Sequence, residues 1–444
     1  MTSGPADRSA SVPPTAPADL GPRRRLHPLT PLLQGARWLV LIVAALSWQT
    51  LERVGLGRFV VIVTALTFVT IVLSVVSWLN TGYQVVGREL RIHEGLVWRR
   101  TRAIPLERLQ AVEVVRPLLA RLTGLAELRL EVVGGGETEA PLAYLGMTEA
   151  TALRERLLYL AGQIREAPDA AAPPPGQPVH TVRNQDLLLS QLLTPQTFSL
   201  PFGLAFLLNQ ILDEESWSLV AAASAITAMV GIMLQPVRKV VDDWNFHLFR
   251  DDSGLRIQRG LVDTRTQIVP LNRLQAVTAT WPLFWRLAGW LRLRMDVAGY
   301  SAPGQASDGQ VNGLLPVGDQ ATARRIVAEV LPGIDLTALP LTPPPDRARW
   351  VHPLAQPVMG AGLSERVFAA RAGLLTRRLV IVPYARIQSV RVVQGPLQRL
   401  LGLATVHVDV AGGAGAAAED RDVNEAWALA AELASRARAA RAAS

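Results

Sequence analysis

Three stretches of this 444-residue chain repeat the same polar side chains at the same spacing. IPLERLQAV (104–112), VPLNRLQAV (269–277) and VPYARIQSV (382–390) open around Pro105, Pro270 and Pro383. Arg108, Arg273 and Arg386 stand three residues after those prolines, and Gln110, Gln275 and Gln388 two residues further on. Together they could offer a ligand or partner a charged fork beside a neutral amide. Equally, they could satisfy backbone groups where strands turn, the ordinary task of half-buried polar side chains. A second arginine follows each glutamine by eleven residues: Arg121 in PLLARLTG, Arg286 in PLFWRLAG and Arg399 in PLQRLLG. Its fork suits phosphate or headgroup oxygens; an ion pair fixing the short turn is the structural alternative. Gly124, Gly289 and Gly402 then close the turn, where a positive φ is expected. The tryptophans of WPLFWRLAGW (Trp281, Trp285 and Trp290) form either a core or domain contact, or a membrane-surface loop in which Trp and Arg meet the interface.

Enzyme chemistry has no comparable constellation. The histidines are scattered without an HExxH spacing, and neither GxSxG nor a Walker-type GxxxxGK occurs. With no cysteine, disulfides, thiolate metal sites and thiol nucleophiles are excluded. A non-enzymatic protein without cofactor or metal is expected.

The chain is 49% apolar and 18% charged, with a mean hydropathy of +0.22. That balance suits a protein that is part bilayer and part water. Its net charge is +8, and Lys239 is the one lysine. Arginine used almost to the exclusion of lysine is most simply a GC-rich codon bias; as a functional feature, scattered arginines suit anionic headgroups better than nucleic acid, which would gather them in one stripe.

The repeats extend beyond the motif. LRIHEGLVWRRTRAIPLERLQAV, LRIQRGLVDTRTQIVPLNRLQAV and FAARAGLLTRRLVIVPYARIQSV align without gaps, and Gly95, Gly260 and Gly373 occupy one turn position in each. Clean alternation follows, as with Leu128, Leu130 and Val132 against Glu127, Arg129 and Glu131, so an antiparallel strand with one buried face is expected. Helical spacing closes each copy, over 148–166, 318–334 and 424–443, with polar starts at Thr148, Asp319 and Asn424.

Apolar runs suited to membrane spans begin at Trp38, Phe59, Leu187 and Trp217. They form two hairpins whose interiors carry no ionisable residue, which points to anchoring rather than transport. Arginine placement puts both termini and the long loops in the cytoplasm, and the first run begins too deep for a signal peptide. The expected layout is a disordered tail (1–22), a first transmembrane hairpin (23–80), a domain (81–166), a Pro-rich linker (167–185), a second hairpin (186–236), a second domain (237–335), a Pro-rich linker (336–356) and a third domain (357–444).

A strand, a Gly turn, a strand into I/V-P-L-x-R-L/I-Q-x-V, then P-L-x-R-L-x-G-L, an alternating strand and a helix resembles the bacterial pleckstrin-homology-like (PH-like) domain. With LHPL at 26–29, paired spans and three copies, the layout resembles the YdbS/YdbT type of membrane protein. The resemblance implies four transmembrane α-helices and three cytoplasmic PH-like antiparallel β-barrels, each closed by a C-terminal helix. The expected role is an inner-membrane scaffold for protein partners, through self-association or a smaller protein with one such domain. Anionic-lipid binding is the alternative, and transport a remote one. Phosphoinositide-binding PH domains resemble one another in a long basic loop between their first strands. Here that connection is only HEGL, QRGL or RAGL, so inositol-lipid binding does not carry over.

Overall fold

The computed structural model describes residues 24–25, 27–30, 56–94, 100–132, 142–162, 178–194, 234–251, 254–297, 313–411 and 415–443, with isolated positions 201, 203, 205, 208, 209 and 231. In the first domain the elements are β1 (Arg24–Arg25), α1 (Leu56–Asn80), β2 (Gly82–Val86), β3 (Glu89–Glu94), β4 (Arg100–Pro105), β5 (Leu109–Arg116), α2 (Leu118–Leu122), β6 (Leu125–Val132), β7 (Leu142–Gly146) and α3 (Met147–Leu160). The second comprises β8 (His180–Thr181), α4 (Asn184–Leu192), β9 (His247–Asp251), β10 (Gly254–Arg259), β11 (Thr264–Val269), β12 (Leu274–Pro282), β13 (Trp290–Val297), β14 (Gly313–Asp319) and α5 (Gln320–Val330). The third has β15 (Gly360–Leu363), β16 (Val367–Ala372), β17 (Thr376–Pro383), β18 (Ile387–Val393), α6 (Pro396–Leu401), β19 (Leu403–Val410), β20 (Ala416–Asp422) and α7 (Val423–Ala442).

Each repeat is therefore two three-stranded antiparallel sheets and a closing helix. Its alternating strands put one face inside: in β13, Leu291, Leu293, Met295 and Val297 are buried between Arg292, Arg294 and Asp296. Each buried aliphatic side chain contributes about 1.5–3 kcal/mol. The glutamine of the motif sits at a register break in all three copies, between Leu109 and Ala111, Leu274 and Ala276, and Ile387 and Ser389. A bulge of this kind bends a strand, which is how one repeat turns from its first sheet into its second. Asp319 caps α5, as its sequence position predicts, by accepting from Thr322 N at 2.9 Å. The other two closing helices are capped at Gly146 and Asp422 rather than at Thr148 and Asn424.

The repeat also begins earlier than its motif. β1 pairs with β2, and β8 pairs with β9. In the third copy Thr342 bridges to Ala361 on β15. Each short piece is followed by an insertion that leaves and returns beside the first barrel strand. Two predicted linkers change accordingly. Val182, expected in a Pro-rich spacer, is buried in the second core. The stretch 336–356 packs on the third barrel: Gln356 is buried and donates to Pro344 O, and Arg421 donates to Thr342 O at 2.7 Å.

α1 contains a segment, Val61–Asn80, long and apolar enough to cross a membrane, and none of it is buried. It is the one such helix among the described residues. The expected first span, about half of the third and nearly all of the fourth lie outside the described residues. The start of the third is a correction: α4 turns Leu187 and Ser190 into the second barrel while Leu188, Leu189 and Leu192 stay exposed, so one face of this helix serves a core. Residues 1–22 also lie outside the described residues.

Candidate functional site

What distinguishes this chain is how its barrels join. β5 of the first barrel pairs with β11 of the second, making one sheet in the order β7-β6-β5-β11-β10-β9-β8. Likewise β12 of the second pairs with β17 of the third, in the order β14-β13-β12-β17-β16-β15. The first junction sets Arg116, Val115 and Val114 opposite Thr264, Arg265 and Thr266. At the second, Trp281, Thr280 and Ala279 face Arg377, Arg378 and Leu379. These are the same repeat positions, so both junctions use one register.

The second junction is the more apolar. Along β17, Val380 and Val382 enter the third core, whereas Leu379 and Ile381 enter the second. Ala276 of β12 reciprocates by joining the third core. Burial holds Asp296 above the usual carboxylate range, against the opposing pull of Arg294 and of Arg378 from the third barrel.

Arg121 and Arg286 prove to be clamps across these junctions. Arg121 Nη1 donates to the carbonyl of Leu261 at 3.3 Å. Arg286 Nη2 donates to the carbonyls of Leu374 and Leu375 at 3.0 and 2.9 Å. Leu261 and Leu374 share one repeat position, just after the turn glycines Gly260 (φ 110°) and Gly373 (φ 92°). The expected ion pair within the turn is thus replaced: the acceptor is the main chain of the next barrel. Replacing Arg286 by Ala should destabilise the second junction by about 2 kcal/mol, as charged donors to carbonyls do. Arg286→Lys should restore only part, because one ammonium lacks the planar fork. Rates of limited proteolysis between the second and third barrels would measure both.

The remaining candidates divide plainly. Gly124, Gly289 and Gly402 have φ of 71°, 68° and 62°, as the turn requires. Pro105, Pro270 and Pro383 each precede a one-turn 3-10 helix. Arg273 and Arg386 end two of these turns half-buried, one in each barrel. Gln275 is buried and donates to Arg273 O at 3.1 Å, closing its turn, while Gln388 is exposed. The side chains of Arg108 and Gln110 lie outside the described residues.

Trp285, a candidate surface residue by sequence, is 1% exposed and belongs to the second core. Its Nε1 donates to Ser190 O at 2.8 Å, and Arg292 lies over its ring. A ring so enclosed is removed from any lipid surface. Trp281 and Trp290 pack, partly buried, against the same core.

Two features escaped the sequence reading. The leucine after each clamp arginine is exposed in all three copies: Leu122 by 78%, Leu287 by 87% and Leu400 by 82%. The second turn also rests on the end of helix 234–243, with Gly260 N to Trp244 O at 2.8 Å and Leu261 N to Val241 O at 2.9 Å. Arg259 and Asp243 pair beside it at 2.6 Å, both mostly buried. The strand-turn ends of the barrels therefore lie where this helix and α1 arrive.

Along β18, Arg391 holds Asp409 through bonds of 2.7 and 2.8 Å, chiefly lowering the carboxyl to about 2. A depressed carboxylate contributes stability above its unfolded value, and that contribution is lost as pH falls through about 2. Asp409→Asn should flatten this acid limb, read from unfolding of the full chain between neutral and strongly acid pH.

No metal-binding group of three or more His, Asp or Glu occurs among the described residues. No solved structure matches the chain. The transmembrane protein YdbT of Bacillus subtilis (strain 168) is 23% identical over 317 residues, 62% of this chain and 63% of the relative. The chain thus spans somewhat less than two thirds of that relative's length. A model of the bacterial PH domain matches residues 34–161, 199–331 and 360–437. The chain therefore belongs to the bacterial PH domain family, which it carries in three copies joined edge to edge.

Proposed function

We propose that this protein is a non-enzymatic scaffold of the bacterial inner membrane, holding three PH-like domains at the cytoplasmic face for assembly with protein partners. Four spans in two hairpins anchor it, with both termini cytoplasmic. The observation that carries this reading is the pairing of β5 with β11 and β12 with β17 in one register. Main-chain pairing of this kind is a recurrent way for domains to bind partner strands. Here it is already used twice as a joint, which supports a relay of barrels with binding edges. Gentle extraction from the native membrane followed by native mass measurement tests it. A stoichiometric protein partner or a defined oligomer is expected; a lone chain retaining only lipid contradicts it.

A second reading, interaction with anionic lipid, is favoured by the three exposed leucines beside Arg121, Arg286 and Arg399. Exposed apolar side chains next to an arginine suit a bilayer interface. Leucine-to-serine changes at all three positions would weaken liposome binding under that reading and leave it unaltered under the first.

A further inference from the structure

The two junctions inside the chain share a plan, and half of that plan is left at each end. β4 occupies the repeat position of β11 and β17, and β18 that of β5 and β12. β4 is hydrogen-bonded to β3, and β18 to β19, with no further strand beyond either edge among the described residues. Exposure follows the pairing. Val115 at the first junction is fully buried, whereas Val393, its counterpart on β18, is 43% exposed. Gln275 is buried on β12, and Gln388 is exposed on β18. Ile381 is buried on β17, while Ala103 is exposed on β4. Arg399, the repeat counterpart of Arg121 and Arg286, is exposed, and its guanidinium has no acceptor among the described residues.

We infer that a second copy of this chain completes the third junction, its β4 pairing antiparallel with β18 of the first. This rests on the scaffold reading and names its partner. Carrying the shared register across sets Val390, Arg391, Val392 and Val393 opposite Ala103, Arg102, Thr101 and Arg100 of the second copy. Arg391 faces Arg102, and its charge is already answered by Asp409. The closing helix is no obstacle, since α3 packs on β5 while β5 pairs with β11. An unpaired, partly apolar edge is a template for further pairing. Because the two edges differ, the contact is head-to-tail, giving a ring where rotation closes and a filament where it does not.

The absence of cysteine makes the register testable by cross-linking. Two differently tagged full-length chains, one carrying Val392→Cys and the other Thr101→Cys, are co-expressed and oxidised mildly in their membrane. A disulfide joining the two tags is expected. Pairing Val392→Cys with Ala103→Cys, two residues out of register, should reduce the yield about tenfold, because a facing pair lies within disulfide reach and a diagonal one does not. Equal yields from both pairs overturn the shared register. Absence of the disulfide in chains whose native mass shows a different protein partner overturns the second copy and leaves the scaffold standing. Its absence in chains that are alone overturns both.

Discussion

Ile381→Asp is expected to release the third barrel from the second. Ile381 is fully buried in the core of the second barrel although it belongs to a strand of the third, and it faces Val277 across the junction. The substitution removes apolar contacts and places a carboxylate among the apolar side chains of the second core. Cavity and desolvation terms together should cost about 5 kcal/mol. The third barrel retains its own core of Phe368, Ala370, Val380 and Val382, so the loss concentrates at the joint. The expected observation is fast proteolysis between the barrels, with a fragment from about residue 336 onward surviving. Acidification should partly restore the joint, since a carboxyl in this setting is readily protonated. Ile381→Val, which keeps shape and polarity, should cost only about 1 kcal/mol.

Trp285→Ala should have the second largest effect, about 3–5 kcal/mol. The ring is 1% exposed, fills the middle of the second core and donates to Ser190 O. Ser190 lies on α4, where the second predicted hairpin begins. Loss of the indole therefore both empties the core and unties that helix. Trp285→Phe separates the two effects: it fills much of the space and leaves the Ser190 carbonyl without its donor. An intermediate loss, about 1–3 kcal/mol from the orphaned carbonyl plus a smaller cavity, is expected. Thermal unfolding followed by tryptic release of α4 would order wild type, Phe and Ala.

Much of this architecture can be read from residue patterns. Alternation in β13 and β19, the turn glycines and the closing helices follow period and composition. The bulge is legible too, for an exact reason of parity. Leu109 is buried at an odd position while Val112 and Val114 are buried at even ones, and Leu274, Val277 and Ala279 repeat the change. The clamp role of Arg121 and Arg286 is not legible in this way. Their acceptors are backbone carbonyls of another repeat, and every residue type supplies a carbonyl.

The joints left a fainter signal. VFAARA and TRRLVIVP of the third copy are apolar on both faces, which demands cover on both sides. ELRIHE and RTRAIP of the first copy, which no other barrel of the same chain covers among the described residues, are polar on one face instead. Reading LVIV as an ordinary core strand hides the difference. The leucine run of α4 misleads for a related reason: hydropathy cannot separate a helix face turned to lipid from one turned to a neighbouring barrel.

Backbone hydrogen exchange on the full chain in lipid nanodiscs tests the edge-to-edge joining most directly. Amides of 264–269 and 376–382 should exchange at least about a hundredfold more slowly than unstructured peptides, as interior strands do. Exchange of both segments at the rate of open loops would contradict the joining of the barrels.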